Sequence, residues 1–223
     1  MATPFIITLD GPAGVGKSTL AKRLADHFEI AYLDTGAMFR ATAWKLGEGS
    51  WDWDNSKIEE ALKSFSFTLS GSGSNSVLSL NGVALTNDIR TEAVGMWASN
   101  VAKIPAVRAF QKIAQRAIGE TTSLIAEGRD MGTVIFPQAP CKFFLDADLE
   151  ERARRRFSQL EEMGKPADLS ELIVQIRARD EQDRNRKEAP LKAADDAIIV
   201  DTTKLDIDGV FEKLVAEVKK ISA

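Results

Sequence analysis

A glycine-rich segment near the start of the chain reads Gly11-Pro12-Ala13-Gly14-Val15-Gly16-Lys17-Ser18. It follows the apolar run 5–9 and leads into the amphipathic pattern 19–24, which predicts a strand, a tight turn and a helix in that order. The spacing matches the G-x-x-x-x-G-K-[ST] motif, in which glycines let successive backbone N–H groups turn toward phosphate oxygens. A surface turn with a solvated lysine is the alternative, and the flanking strand and helix disfavour it. This segment, the glycine loop, predicts that the chain binds a nucleoside triphosphate.

The residue types of the glycine loop suit separate tasks at the phosphates. The helix that begins near Lys17 directs its positive dipole end at them, and Lys17 is placed to reach the β- and γ-phosphates as a catalytic residue. The hydroxyl of Ser18 is suited to ligate Mg²⁺, the cofactor expected with ATP. The candidate ATP-binding residues are Gly11, Pro12, Ala13, Gly14, Val15, Gly16, Lys17, Ser18 and Thr19.

The composition is that of a folded α/β protein and excludes several other classes. The 223 residues are 44% hydrophobic and carry a formal net charge of −4, which argues against nucleic-acid binding through a broadly basic surface. One cysteine (Cys141) and one histidine (His27) exclude an internal disulfide and a zinc site built from these residue types. No apolar run approaches the ~18 residues of a membrane span, and the N-terminus lacks a signal pattern. We therefore expect a cytoplasmic protein with no nucleic-acid or membrane partner. A monomer is a separate expectation that does not rest on these features.

Five short apolar segments are predicted to be strands. They lie at 4–9, 30–33, 123–127, 141–146 and 197–201. Their nearly continuous apolar character is typical of parallel strands covered on both faces, and helical patterns separate most of them. The expected fold is an open, doubly wound α/β architecture with a five-stranded parallel sheet. Ligands bind at the carboxyl ends of such strands, where this chain places polar clusters, for example at Asp10 and 127–130.

Residues 62–98 interrupt the α/β alternation. The segment 64–69 alternates apolar and polar residues, as a strand with one buried face does. A Gly/Ser-rich stretch follows at 70–76, and 77–85 contains Asn81-Gly82, a strong hairpin signal. These features predict a small inserted subdomain of antiparallel strands. The Gly/Ser stretch taken alone is also compatible with a disordered linker.

Arginines are unevenly distributed along this acidic chain. Apart from Arg40 and Arg129, the main group consists of Arg152, Arg154, Arg155, Arg156, Arg177, Arg179, Arg184 and Arg186. Each one could form an ion pair along a solvated helix, such as Glu150 with Arg154. That reading does not explain why arginines so outnumber acidic partners at 152–156, and guanidinium groups are well suited to phosphate oxygens.

A break in the helical pattern at 161–168 makes 150–168 a candidate helix-loop-helix lid that closes over ATP. A phosphate acceptor is already anionic and needs its charge neutralised, whereas a hydroxyl acceptor needs a general base. The chain shows no obvious base-type dyad, which favours a nucleoside monophosphate over an alcohol as the acceptor.

These residues together resemble the bacterial cytidylate kinases. The resemblance spans essentially the whole chain and is anchored at 7–12, 33–40, 127–134, 144–147 and 179–186. Its specific parts are Gly128-Arg129-Asp130-Met131-Gly132-Thr133 and Asp183-Arg184-Asn185-Arg186, since the glycine loop alone defines only a superfamily. The resemblance implies transfer of the γ-phosphoryl group of ATP to CMP or dCMP.

The resemblance also implies a role for individual residues. Ser99, Arg108 and Asp130 would contact the cytosine, while Arg40, Arg129 and Arg186 would hold the acceptor phosphate. Arg179 and Asp183 would hold the sugar, and the arginines at 154–156 would belong to the lid. The implied CMP-binding set is Thr35, Gly36, Phe39, Arg40, Ser99, Arg108, Arg129, Asp130, Met131, Gly132, Arg179, Asp183 and Arg186. The implied catalytic set is Lys17, Arg129, Arg154, Arg155, Arg156 and Arg186.

Three positions depart from the family pattern. Thr35 stands where serine is frequent and keeps the hydroxyl, Phe39 stands where tyrosine is frequent and loses it, and Glu127 stands where aspartate is common. Without a phenolic hydroxyl, Phe39 is expected to contribute ring packing but no hydroxyl contact to the acceptor.

The expected organisation has three parts. The core kinase domain comprises 1–61, 99–149 and 187–223, the insertion on the acceptor side comprises 62–98, and the lid with the arginine-rich helix that follows it comprises 150–186. Two other functions stay open on the residues alone. One is a kinase of another small acceptor, such as UMP, shikimate or gluconate; the other is a nucleotide switch, although the chain has no Asn-Lys-x-Asp guanine-reading motif.

Overall fold

The computed structural model describes residues 3–222 and contains two sheets. The larger sheet has five strands: β1 (Ile6–Asp10), β2 (Ala31–Asp34), β6 (Leu124–Gly128), β7 (Cys141–Asp146) and β8 (Ile198–Asp201). Their order is β2-β6-β1-β7-β8, and β1 with β7, β2 with β6, and β7 with β8 pair in parallel. Most side chains of these strands are buried, as expected for strands covered on both faces. The predicted five-stranded parallel α/β fold is confirmed.

The smaller sheet is the predicted antiparallel insertion. It contains β3 (Phe67–Ser70), β4 (Val77–Leu80) and β5 (Val83–Ala84) in that order. Asn81 and Gly82 both have positive φ, at 52° and 76°, which is the requirement of a type I′ hairpin turn. The first strand starts three residues later than the expected 64, because Ser64 lies in a turn that follows the preceding helix, where its N–H and its hydroxyl both donate to the Ala61 carbonyl.

The Gly/Ser-rich stretch is ordered, so the linker alternative is wrong. A short 3-10 helix covers Gly73–Asn75. The Gly73 N–H donates to the Ile30 carbonyl at 2.8 Å, and the Ser74 N–H donates to the Asp26 carboxylate. Gly73 has φ +55°, and a Cβ at this position would collide with Asp26. The stretch is therefore held by backbone hydrogen bonds that only a small residue permits.

Eight α-helices complete the described part of the chain. They are α1 (Lys17–His27), α2 (Thr35–Leu46), α3 (Asn55–Leu62), α4 (Glu92–Val101), α5 (Pro105–Thr121), α6 (Leu149–Glu162), α7 (Leu169–Asn185) and α8 (Ile207–Ser222). Side-chain caps set several helix starts, including Thr91 at α4 and Asp168 at α7. The predicted break near 161–168 is the loop between α6 and α7. None of the helices in residues 3–222 is long and apolar enough to cross a membrane.

The chain divides into two compact units. Among the described residues, unit 1 comprises 3–6 and 25–127, and unit 2 comprises 7–24 and 128–222. The core of unit 1 includes Ile58, Val101 and Val107, around which partly buried aromatic rings pack. In unit 2, Ala153 of α6 packs with Leu172 and Ile176 of α7. Each unit carries some of the residues that the sequence predicts to be functional.

Candidate functional site

In unit 2 the glycine loop joins β1 to α1 and has the backbone that its sequence predicts. Gly11, Gly14 and Gly16 have φ of +147°, +82° and +90°, values that other residues rarely adopt. A Cβ at Gly11 would collide with the carbonyl oxygen of Leu145. Helix α1 begins at Lys17, so the N–H groups of its first turn have no partner within the helix. The strand, loop and helix of the phosphate-binding motif are all present.

Lys17 lies over the glycine loop. Its ammonium donates to the carbonyls of Gly11 at 2.8 Å and Pro12 at 2.6 Å, and the residue is buried. Ser18 and Thr19 follow in the first turn of α1. The lysine charge is thus held at the loop, where a phosphate would need it.

Arg152 braces the glycine loop from the first turn of α6. Its guanidinium donates to the Ala13 carbonyl at 3.0 Å and to the Ala147 carbonyl at 2.9 Å, and it forms an ion pair with Asp180 of α7 at 2.6 Å. The loop also packs tightly here, because a Cβ at Gly14 would lie 3.1 Å from the Cβ of Arg152. Within the dense arginine group this residue is a structural support of the loop.

The three predicted lid arginines have different surroundings. Arg154 is exposed and pairs with Glu150 at 3.3 Å, which confirms the ion pair expected along the helix. Arg155 pairs with Glu151 at 3.0 Å and donates to the Thr202 carbonyl at 2.6 Å. Arg156 donates to Gln159. These contacts lie along α6 or at the end of β8, and a role toward ATP stays a prediction for all three.

A cluster of arginines and aspartates, the Arg/Asp cluster, joins the end of β6 to the end of α7. Its members are Arg129, Asp130, Arg179, Asp183 and Arg186. Arg129 Nε lies 2.9 Å from Asp183 Oδ2, Arg186 Nη2 lies 3.3 Å from Asp130 Oδ1, and Arg186 Nη1 lies 3.7 Å from Asp183 Oδ1. Five residues that the family resemblance singles out are therefore neighbours, although 129–130 and 179–186 are far apart in sequence.

The electrostatics of the cluster favour an ionised Asp183. Burial alone would raise the pKa of this carboxyl, but Arg129, Arg179 and Arg186 outweigh burial and hold the pKa below its usual range. The cluster contains three guanidinium groups and two carboxylates, so its formal net charge is +1. An anionic ligand is favoured at such a place.

Met131 and Gly132 begin a single π-helical turn, Met131–Ile135, directly after Asp130. The side chain of Asp10, at the end of β1, accepts from both of their N–H groups, at 2.9 and 2.8 Å. Burial raises the pKa of Asp10 to about 6, and the neighbouring Asp130 adds to this; the two N–H donors and Lys17 act in the opposite direction. The sequence identified Asp10 only as a polar residue at a strand end.

In unit 1 the first turn of α2 carries the predicted acceptor residues Thr35 and Gly36. Asp34 caps this helix by accepting from the Ala37 N–H at 2.8 Å, and its other oxygen pairs with Arg90 at 2.7 Å. The Thr35 hydroxyl donates to the Glu127 carbonyl at 2.6 Å. Arg90 therefore holds Asp34, the N-cap residue of α2, and no sequence motif indicates this role.

Four further predicted acceptor residues lie on α2, α4 and α5 of unit 1. Arg40 donates to the carbonyls of Ile89 and Thr91, at 3.4 and 3.1 Å. Arg108 is buried, and its guanidinium lies 5.8 Å from the ring centroid of Phe39, a cation–π contact that needs no phenolic hydroxyl. Ser99 lies on α4. The ring packing expected of Phe39 is present.

The fold and this geometry define a nucleotide-dependent kinase of the phosphate-loop class. A family model described as cytidylate kinase matches residues 7–220, and the chain belongs to that family. It is 82% identical over 220 residues to a cytidylate kinase of Maridesulfovibrio salexigens, with 99% of both chains covered. It is 56% identical to one of Oleidesulfovibrio alaskensis, covering 98% of this chain and 100% of the relative, and 46% identical to one of Pseudomonas fluorescens, covering 96% and 94%.

A solved structure of an uncharacterized protein from Eubacterium ventriosum superimposes with a TM-score of 0.53 at 16% identity, and the match covers 97% of this chain and 98% of that one. This likeness concerns the fold alone. The chain is a phosphotransferase, because it belongs to the cytidylate kinase family and is 82% identical to one of its members over nearly its whole length.

Proposed function

We propose that the chain transfers the γ-phosphoryl group of ATP to CMP and dCMP, giving ADP and CDP or dCDP. The observation that carries this proposal is the Arg/Asp cluster of unit 2, in a chain that belongs to the cytidylate kinase family. A kinase of an alcohol would need a general base at the acceptor. A cluster with a net positive charge instead suits a phosphate acceptor, whose oxygen is already a nucleophile.

On the donor side, the glycine loop holds the phosphates of ATP. The N–H groups of residue 11, of 13–16 and of the first turn of α1 supply donors, and Lys17 supplies the positive charge that the transferring group needs. Gly11, Pro12, Ala13, Gly14, Val15, Gly16, Ser18 and Thr19 complete this set. Arg154, Arg155 and Arg156 are proposed to turn from their partners on α6 toward ATP when the lid closes.

Mg²⁺ is the proposed cofactor, with Ser18 as its protein ligand. Within residues 3–222, no group of three or more His, Cys, Asp or Glu side chains is arranged to hold a metal ion. This fits a Mg²⁺ that is bound through one hydroxyl, phosphate oxygens and water, a common arrangement for this ion. When bound, the ion would neutralise charge that develops on the phosphates.

On the acceptor side, Arg129 and Arg186 are proposed to bind the phosphate of CMP, with Arg179 and Asp183 at the sugar and Asp130 at the base. Met131 and Gly132 supply neighbouring backbone. For unit 1 the assignment of Arg40 to the phosphate and of Ser99 and Arg108 to cytosine rests on the family resemblance, as does that of Thr35, Gly36 and Phe39. In the reaction a CMP phosphate oxygen forms a bond to the γ-phosphorus while the bond to the β-phosphate oxygen of ATP breaks, so no proton must move first.

We further propose that the enzyme is a cytoplasmic monomer, with 62–98 as an acceptor-side insertion and 150–186 as the lid and its following helix. An ADP-release assay with a panel of acceptors tests the function. CMP and dCMP are expected to support turnover, with UMP weaker by a wide margin, and shikimate or gluconate without effect. Equal activity with UMP, or none with CMP, would overturn the assignment.

A further inference from the structure

Asp10 occupies a position that the proposed chemistry does not use directly. It is the last residue of β1, is buried, and precedes the glycine loop. Its Oδ1 accepts from the Met131 N–H at 2.9 Å and its Oδ2 accepts from the Gly132 N–H at 2.8 Å. A single carboxylate thus ties the end of β1 to a segment more than 120 residues away.

The two N–H groups belong to the start of the π-helical turn Met131–Ile135. The first N–H groups of a helical turn have no partner within it, and a capping side chain usually satisfies them. Asp130 occupies the N-cap position of this turn, yet its own side chain makes no capping hydrogen bond. Its carboxylate instead faces Arg186, at 3.3 Å. Asp10 therefore caps the turn in place of Asp130. Without Asp10, the two N–H groups would compete with Arg186 for the carboxylate of Asp130.

The turn is also seated closely against β1. A Cβ added to Gly132 would lie 3.0 Å from the Thr8 hydroxyl and 3.5 Å from Asp10 Oδ2. Thr8 and Asp10 share one face of the strand because they are two residues apart. The Thr8 hydroxyl is buried and makes no hydrogen bond within the described residues. Thr8 contributes packing at this contact, whereas Asp10 contributes the hydrogen bonds.

We propose that Asp10 is a positioning residue for phosphoryl transfer: it caps the turn after Asp130 and so keeps the Asp130 carboxylate available to Arg186 and to the acceptor. The assignment to the acceptor rests on the proposed function. The capping itself rests only on geometry within unit 2. The charged groups that act on the Asp10 carboxylate are Asp130 and Lys17, and the Lys142 ammonium nearby is turned to Pro137 and Asp196.

The first test is kinetic and uses Asp10→Asn with Thr8→Val as the matched control. Asparagine keeps one acceptor oxygen but presents an NH₂ donor to the second N–H, so one capping bond is lost. We expect kcat/KM for CMP to fall about 10- to 100-fold, with a narrower preference for CMP over UMP and a KM for ATP within about twofold of the wild type. Thr8→Val should stay within about twofold in every constant, because it removes a hydroxyl with no partner. Equal losses in both variants, or a loss confined to ATP, would overturn the proposal.

The second test needs no variant and no substrate. The amide protons of Met131 and Gly132 are followed by ¹H–¹⁵N NMR in the full-length wild type from pH 5 to 8. A carboxylate acceptor shifts a bonded amide proton downfield, so both signals should move upfield together on acidification with one apparent pKa near 6. Amides that do not titrate, or that exchange as fast as exposed ones, would overturn the capping role even if Asp10→Asn fails to fold. Wild-type enzyme that is inactive toward CMP would instead overturn the proposed function.

Discussion

Replacement of Arg152 by methionine removes the cation that braces the glycine loop while keeping an unbranched apolar stem. The side chains of Arg152 and Asp180 are only 6% and 11% exposed, and their charged atoms lie 2.6 Å apart. The variant leaves a buried carboxylate without its cation, and Oδ1 of Asp180 already makes no hydrogen bond within residues 3–222. Breaking such a pair from one side costs about 3–5 kcal/mol of the free energy of unfolding. For a chain of this size that corresponds to a fall in Tm of roughly 6–20 °C.

The assay is thermal and urea unfolding followed by circular dichroism, with Arg154→Met as the matched control on the same helix. Arg154 is 60% exposed and pairs with Glu150 only at the surface, so its loss should cost about 0.3–0.5 kcal/mol. A double variant, Arg152→Met with Asp180→Leu, removes both buried charges and should recover most of the stability. A cost below about 1 kcal/mol for Arg152→Met, or one equal to that of the control, would show that the buried ion pair does not hold this part of unit 2 together.

Three further predictions concern the glycine loop and Asp10. Lys17→Ala should lower kcat by about 10²-fold or more, because the transition state loses a preorganised positive charge; steady-state ADP release measures this, and unchanged turnover would contradict it. Gly14→Ala should raise the KM for ATP and cost about 1–3 kcal/mol in urea unfolding, since φ is +82° and the new Cβ would press on Arg152. Gly164→Ala, with φ +67° and open space around it, is the control for backbone strain alone. The raised pKa of Asp10, about 6 against 3.8 in the unfolded chain, means that the unfolded state releases this proton first as the pH rises. Between pH 4 and 6.5 the free energy of unfolding of the wild type should therefore fall by up to about 3 kcal/mol relative to that of Asp10→Asn. A difference in unfolding free energy between the two proteins that does not vary with pH would contradict the raised pKa.

The sequence predicted the strands well because each is a short apolar run bounded by polar residues. The positive-φ turn at Asn81-Gly82 was predictable for a similar reason, since few residue pairs tolerate that backbone. The order of the strands in the sheet was not predicted, because it depends on contacts between distant segments. The same limit applies at 64–66, where the turn and connection after α3 take residues that alternate like a strand.

The candidate site was predictable where a motif fixes local backbone and less so where function depends on tertiary pairing. The arginines at 152–156 look alike in sequence, but only Arg152 is buried against Ala13 and Asp180. Asp180 of α7 pairs with Arg152 of α6, and no spacing within either helix indicates this contact. Asp10 gains its partners from a segment that no local pattern connects to it. The roles that the resemblance assigns to individual residues stay predictions.

³¹P NMR of the wild-type enzyme mixed with ATP, Mg²⁺ and CMP tests the proposed phosphoryl transfer most directly. The γ-phosphoryl signal of ATP is expected to disappear as the β-phosphate signal of CDP appears, with ADP formed in equal amount. Formation of inorganic phosphate with CMP left unchanged would contradict it, because the chain would then hydrolyse ATP without using the acceptor.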